Sequence, residues 1–135
     1  MQSLQVISNA IPLEEIGKAR SSSITRLASA PEKIVLFAGR LDANKNVENL
    51  IIALARVAAE MAFIGFICGD GPQRPSLERL ARRVGVSHRL IFTGYVSNLW
   101  ALMIRADVFA SLSRVEGCPN VVMEAMAAAR WLFRI

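Results

Sequence analysis

The chain alternates short apolar runs that stop at glycine with longer segments in which apolar residues recur at helical spacing. The first run, residues 34–38, reads Ile-Val-Leu-Phe-Ala and is closed by Gly39. A continuous apolar run of this length is typical of a strand that is buried on both faces. Three further runs are predicted to be strands, at residues 62–68, 90–92 and 108–112.

Helical patterns fill the intervals between these predicted strands. Apolar residues at 47, 50, 51, 54, 57 and 58 predict an amphipathic helix over residues 47–60. A basic helix is predicted at residues 76–84 with Gly85 as its C-cap, and another begins at Ser97 and runs to residue 104. A last, strongly apolar helix is predicted at residues 119–129. Strands that alternate with helices form βαβ units, so the sequence predicts an α/β fold: a Rossmann-like parallel sheet with helices on both faces.

Composition narrows the class of protein further. The chain has 135 residues, of which 53% are apolar and 20% charged, so it is long and apolar enough for one packed domain and unlike a disordered chain. Cys68 and Cys118 lie in unrelated contexts, which indicates neither a disulfide framework nor a zinc site. The pattern is that of a protein from a reducing compartment, and we expect a cytoplasmic location.

The excess of positive charge is local. The net charge is +5, and residues 73–89 carry five arginines against Glu78. Because no aromatic residues are interleaved and no reading module is present, this pattern argues against nucleic-acid binding. Arg74, Arg79, Arg82 and Arg83 form either the solvated face of one helix or a surface for an anionic membrane or substrate, which would place the protein at the inner face of the membrane.

In a parallel sheet, ligands bind at the loops that follow the carboxyl ends of the strands, here residues 39–45, 69–72, 93–97 and 113–120. The first loop places two cations, Arg40 and Lys45, on one strand-to-helix turn, where both suit phosphate oxygens. The second loop, Gly69-Asp70-Gly71-Pro72, lacks the third glycine of a dinucleotide fingerprint and predicts a tight turn with close backbone approach.

The fourth loop leads into the last predicted helix. Pro119 suits the first turn of a helix, whose free amides would then face the strand ends as an anion site. Glu124 is the only charge between residues 119 and 129. It either complements the helix dipole or accepts hydrogen bonds from sugar hydroxyls, with Glu116 across the same ligand.

Glu116 and Glu124 form an E-x7-E element, and the segment Glu-Gly-Cys-Pro-Asn-Val-Val-Met-Glu resembles the nucleotide-sugar site of the retaining glycosyltransferases of family four. The loops at residues 35–46, 67–72 and 91–96 resemble that family's phosphate-binding loop and its two further strand-end turns, in the same order. Residues 6–11 resemble the segment that leads into the donor domain. The resemblance covers nearly the whole chain.

The resemblance implies a role for each matching residue. Arg40 and Lys45, on the loop that begins at Gly39, would hold the diphosphate and stabilise the charge of the leaving nucleotide, with amides near Val121 and Val122 as further donors. Glu116 would act on the donor sugar together with the residues that follow it, Gly117, Cys118, Pro119 and Asn120. Glu124 would bind the ribose, and Tyr95 and Val96 would lie near the base. Glu116, Arg40 and Lys45 would form the catalytic set, without a metal or cofactor.

The resemblance also implies a two-domain GT-B architecture of which this chain is one incomplete half. Residues 1–30 would be the linker and the segment that leads into the domain, and residues 31–135 the nucleotide-sugar-binding domain. The partners would be a nucleotide sugar, an acceptor sugar, lipid or other glycan precursor, and the absent N-terminal acceptor domain. His88 is expected at the surface, and residues 130–135 depart from the family pattern. The alternative is a non-catalytic fragment or weak nucleotide-binding module.

Overall fold

The computed structural model describes residues 32–114 in full and the backbone of residues 132–134. The predicted linker at 1–30, the predicted helix at 119–129, and Glu116 through Glu124 lie outside the described residues. The division into a linker and a domain therefore stays a prediction.

The first four strands and the three α-helices between them follow one another in the predicted order, and a fifth strand at residues 132–134 was not predicted. The strands are β1 (Lys33–Ala38), β2 (Phe63–Cys68), β3 (Leu90–Gly94), β4 (Val108–Ser111) and β5 (Leu132–Arg134). The α-helices are α1 (Val47–Val57), α2 (Arg74–Arg83) and α3 (Leu99–Arg105), and single 3-10 turns lie at Ala43–Lys45 and Ser87–Arg89.

Several boundaries differ from the prediction by one to three residues. Helix α1 ends at Val57, three residues early. Helix α2 begins at Arg74, two residues early, because Pro75 in its first turn needs no amide partner. The N-cap of α3 is Asn98 rather than Ser97, since the Asn98 side chain accepts from the amide of Ala101 at 3.4 Å. The predicted C-cap is confirmed: Gly85 follows α2 with φ of +78°.

The sheet is parallel throughout, with strand order β3-β2-β1-β4-β5. The chain builds outward from β1 to β2 and β3, then returns to the other side of β1 to form β4. Residue Val35 of β1 is accordingly opposite Gly65 of β2 and Val108 of β4. The crevice between β1 and β4 is the point at which the strand order reverses, and open α/β sheets bind ligands there.

Two apolar clusters cover the two faces of the sheet. Helices α1 and α2 bury Ile51, Leu54 and Leu80 against one face. Helix α3 buries Met103 against the other face, where it meets Phe109 of β4. Helices on both faces of a parallel sheet confirm the predicted Rossmann-like α/β class.

Candidate functional site

The loops that follow β1 and β2 are joined by main-chain hydrogen bonds. The amide of Gly39 donates to the carbonyl of Cys68 at 2.9 Å, and the amide of Leu41 donates to the carbonyl of Asp70 at 3.0 Å. The amide of Gln73 returns a bond to the carbonyl of Leu41 at 3.0 Å. These bonds make the two loops one unit at the carboxyl edge of the sheet.

Glycine is required where the two loops touch. Gly69 has φ of +127°, and a Cβ added there would overlap the carbonyl oxygen of Gly39. A Cβ on Gly71 would lie 2.5 Å from the carbonyl oxygen of Leu41. The predicted tight turn with close backbone approach is therefore confirmed for this Gly-Asp-Gly segment.

The end of β3 joins the same unit. The amide of Gly69 donates to the carbonyl of Gly94 at 2.8 Å. The guanidinium of Arg74 donates to the carbonyl of Phe92 at 3.2 Å and pairs with Asp70 and Glu78. The prediction that Arg74 belongs to a solvated basic face is thus wrong, because its neighbours occupy its donors, whereas Arg79, Arg82 and Arg83 are exposed.

The three loops enclose a cavity of about 470 Å³. Four of the predicted site residues line it: Gly39, Arg40, Tyr95 and Val96. The side chain of Tyr95 is almost fully exposed, at 89%, and offers an uncovered aromatic ring at the rim. Five further residues complete the lining: Ala38, Cys68, Gly69, Asp70 and Leu99.

Asp42 organises the two predicted phosphate-binding cations. Its Oδ1 caps the 3-10 turn by accepting from the amides of Asn44 and Lys45, at 3.0 and 3.3 Å. Its Oδ2 lies 3.4 Å from Nε of the exposed Arg40. The side chain of Lys45 runs beside Gly39, with its Cδ and Cε 3.8 Å from where a Cβ of Gly39 would be. Arg40 and Lys45 therefore share one turn, as predicted.

The loop after β4 meets the loop after β1 across the crevice. The amide of Arg114 donates to the carbonyl of Asn44 at 2.8 Å. Beyond Arg114 the predicted site continues outside the described residues, so the positions of Glu116 and Glu124 stay predictions. The contact joins the described end of the loop after β4 to the turn that carries Lys45.

Two titratable groups at the cavity have shifted pKa values. The amide of Gly71 and then the guanidinium of Arg74 lower the pKa of Asp70, so this carboxylate is ionised at neutral pH. Burial raises the pKa of the Cys68 thiol, and a hydrogen bond with Thr93 only partly offsets that effect. The lining of the cavity therefore includes a cation, Arg40, from the loop after β1 and an anion, Asp70, from the loop after β2.

Two of the further lining residues, Gly69 and Asp70, lie in the loop at 69–72 that the sequence predicts to bind ligands. Asp70 follows a predicted strand within a Gly-x-Gly turn, and that position alone places it at the carboxyl edge of the sheet. Leu99 carries no such signal, since it reads only as the first apolar residue of a helix. His88 is exposed, which confirms its predicted surface position.

The described part of the chain contains neither a metal-binding cluster nor a membrane-spanning helix. Among those residues, no group of three or more His, Cys, Asp or Glu side chains is arranged to hold a metal ion. Nor does any helix there have the length and apolarity needed to span a bilayer.

Comparison with known proteins identifies the family. Residues 22–132 match the family of glycosyl transferases group 1. A Campylobacter jejuni enzyme, N-acetylgalactosamine-N,N'-diacetylbacillosaminyl-diphospho-undecaprenol 4-alpha-N-acetylgalactosaminyltransferase, is 30% identical over 125 residues, which cover 93% of this chain and 33% of that protein. The lipopolysaccharide core biosynthesis glycosyltransferase LpsE of Rhizobium meliloti is 31% identical over 92% of this chain and 35% of its own length.

Solved structures agree with the fold. Anabaena HepE in complex with UDP and glucose superposes with a TM-score of 0.68 at 26% identity, over 85% of this chain and 31% of that one. WaaG, a glycosyltransferase involved in lipopolysaccharide biosynthesis, gives a TM-score of 0.68 at 24% identity, over 88% of this chain and 31% of its own. The chain thus spans about a third of the length of these relatives. It belongs to the glycosyl transferases group 1 family.

Proposed function

We propose that this chain supplies the donor-binding half of a glycosyltransferase that moves a sugar from a nucleotide sugar to an acceptor with retention of configuration. The observation that carries the proposal is the cavity at the carboxyl edge of the sheet, which the loops after β1, β2 and β3 line. Arg40 lines it, and Lys45 lies on the same turn. A nucleoside diphosphate needs such paired cations for its phosphates and an aromatic or apolar surface for its base.

In this proposal, Arg40 and Lys45 hold the diphosphate on the turn that begins at Gly39. Because they are cations placed before the reaction, they stabilise the negative charge that grows on the leaving nucleotide. Tyr95 and Val96, at the opposite wall of the cavity, face the base. The bond from Arg114 to Asn44 supports this arrangement, since it joins the loop after β4 to the phosphate turn.

The residues after Arg114 complete the proposed site. Glu116, followed by Gly117, Cys118, Pro119 and Asn120, acts on the donor sugar. Val121 and Val122 add main-chain donors for the phosphates, and Glu124 binds the ribose hydroxyls. No metal or cofactor is part of the proposal. Sugar transfer by the whole protein is therefore expected to continue in the presence of EDTA. Loss of activity on chelation would count against the proposal that Arg40 and Lys45 take the place of a metal ion.

The acceptor is proposed to be a sugar, lipid or other glycan precursor held by an N-terminal domain outside this chain. The names of two relatives refer to a diphospho-undecaprenol-linked acceptor and to lipopolysaccharide core biosynthesis. They favour a lipid-linked or lipopolysaccharide acceptor, and with it a cytoplasmic protein in peripheral contact with the membrane. Because the chain spans about a third of such relatives, we propose that the 135 residues alone bind nucleotide without transferring sugar.

Calorimetric titration of the chain with UDP, GDP and ADP tests the proposal. At least one nucleotide should bind. Arg40→Ala should lower the affinity for that nucleotide by about 10–100-fold, since a hydrogen bond to a charged group contributes about 1.5–3 kcal/mol. Arg82→Ala is the matched control, because Arg82 is an exposed arginine that does not line the cavity. If none of the three nucleotides binds, or if both variants bind equally well, the site assignment is wrong.

Retention requires the whole protein. NMR of the first product formed from an α-linked nucleotide sugar should give the α-anomer. A β-linked product would refute retention and leave nucleotide binding untouched.

A further inference from the structure

We infer that Arg74 is a positioning residue for the cavity. Its side chain does not line the cavity, but it fixes the distance between the two walls of the cavity. One wall is the loop after β2, which carries Asp70, and the other is the turn after β3, which carries Tyr95 and Val96. The inference rests on the proposed function, because it takes the cavity to be the nucleotide site.

Each nitrogen of the Arg74 guanidinium has a different partner. Nη1 donates to Oδ2 of Asp70 at 3.0 Å, and Nε donates to Oε1 of Glu78 at 3.0 Å. Nη2 donates to the main-chain carbonyl of Phe92 at 3.2 Å. One side chain thus joins the loop after β2, helix α2 and strand β3 at Phe92.

Only a planar fork of donors can make these three bonds at once. The guanidinium is half-buried, with 30% of the side chain exposed, and Nη1 lies 3.4 Å from where a Cβ of Gly94 would be. It therefore packs against the glycine that directly precedes Tyr95. A lysine ammonium has a similar charge but concentrates its donors at one atom, so it cannot reach all three acceptors.

The bonds of Arg74 act across the cavity wall rather than through the core. The main-chain bond from Gly69 to Gly94 joins the same two segments at 2.8 Å. Without the guanidinium, the carbonyl of Phe92 loses a donor and the carboxylate of Asp70 loses its cation. We expect the loop after β2 to separate from the end of β3 locally, while the clusters on the two sheet faces stay packed.

The test compares Arg74→Gln and Arg74→Lys with Arg82→Gln, a matched change at an exposed arginine of the same helix. Nucleotide affinity is measured by calorimetry with UDP, GDP and ADP at a temperature at which circular dichroism shows every variant folded. Amide hydrogen exchange is followed by NMR at Gly69, whose amide bonds to the carbonyl of Gly94, and at Leu36, in the core.

Both Arg74 variants should weaken nucleotide binding by about tenfold, as expected for the loss of a charged hydrogen bond. The Gly69 amide should exchange faster while the Leu36 amide keeps its protection, and Arg82→Gln should behave as the parent does. Recovery of the parent affinity in Arg74→Lys would show that charge alone matters and would overturn the inference.

Two other results also overturn it. Equal acceleration at Gly69 and Leu36 would make Arg74 a residue of general stability, and parental affinity in Arg74→Gln would remove any role in binding. If the parent chain binds none of the nucleotides, the proposed function fails. The exchange data still decide whether Arg74 joins the two walls.

Discussion

The contact between the loops after β1 and β2 leads to a sharp prediction about three glycines. The three glycines differ in backbone conformation and in the atoms that the Cβ of an alanine would contact. At Gly85 the backbone is left-handed and nothing lies within 4 Å of an added Cβ, so strain acts alone. At Gly71 the Cβ would lie 2.5 Å from the Leu41 carbonyl oxygen, so overlap is the dominant cost. At Gly69 both apply, because φ is +127° and the Cβ would overlap the Gly39 carbonyl oxygen.

The magnitudes follow from these differences. Gly85→Ala should lower the free energy of unfolding by about 1–2 kcal/mol, the cost of placing a Cβ in the left-handed region. Gly71→Ala should cost about 1–3 kcal/mol, as overpacking does. Gly69→Ala should cost about 3–5 kcal/mol, because strain and overlap add and the overlapped atom is backbone that cannot rotate away.

Urea unfolding followed by circular dichroism gives the three free energies on one scale. Nucleotide titration of the same variants provides a second readout, in which Gly85→Ala should bind as the parent does while Gly69→Ala binds more weakly. If Gly69→Ala costs no more than Gly85→Ala, the two loops can separate without penalty, and the reasoning that treats them as one unit is refuted.

Three further predictions concern single side chains. Asp42→Ala should cost about 0.5–2 kcal/mol in urea unfolding because it removes an N-cap, and Asp42→Ser should recover most of this loss. Burial alone would raise the pKa of Asp107, but the amide of Ile34 and the cations Lys33 and Arg105 outweigh it and lower this pKa. The stabilisation is therefore present above about pH 4 and lost as the pH falls through the lowered pKa, so Asp107→Asn should flatten the acid side of a stability-against-pH curve; an unchanged slope would contradict the assignment. Phe109 is fully buried, and Phe109→Ala should cost about 3–5 kcal/mol in the same urea assay, whereas a loss below about 1 kcal/mol would mean that the face covered by α3 is loosely packed.

The sheet was predictable because its signal is local. The runs at 34–38 and 62–68 are apolar at every position, and each ends at a glycine, so strand and turn are both marked in the sequence. The parallel arrangement then follows from the helices between them. It also places the cations Arg40 and Lys45 at the edge where the cavity is found.

The contacts that complete the site depend on residues far apart in sequence. Arg74 follows the helical pattern of an exposed basic face, and its bond to the Phe92 carbonyl, 18 residues away, has no counterpart in that pattern. Strand β5 was missed for a similar reason. Leu132–Arg134 is too short to show a period, and it becomes a strand by pairing with Phe109, Ala110 and Ser111 of β4. Ser97 and Asn98 can both cap a helix, and the cap is Asn98, whose side chain accepts from the amide of Ala101.

The bonds that join the loops after β1 and β2 run between main-chain atoms. The identity of the residue matters to this contact only at the few positions that require glycine. Most side chains on these loops can therefore change without moving the backbone of the site. Such a frame keeps the shape of the loops while the side chains that face a ligand vary. For protein engineering, Gln73 is a position at which a side chain can be changed without breaking the contact between the loops, because its main-chain amide makes that bond.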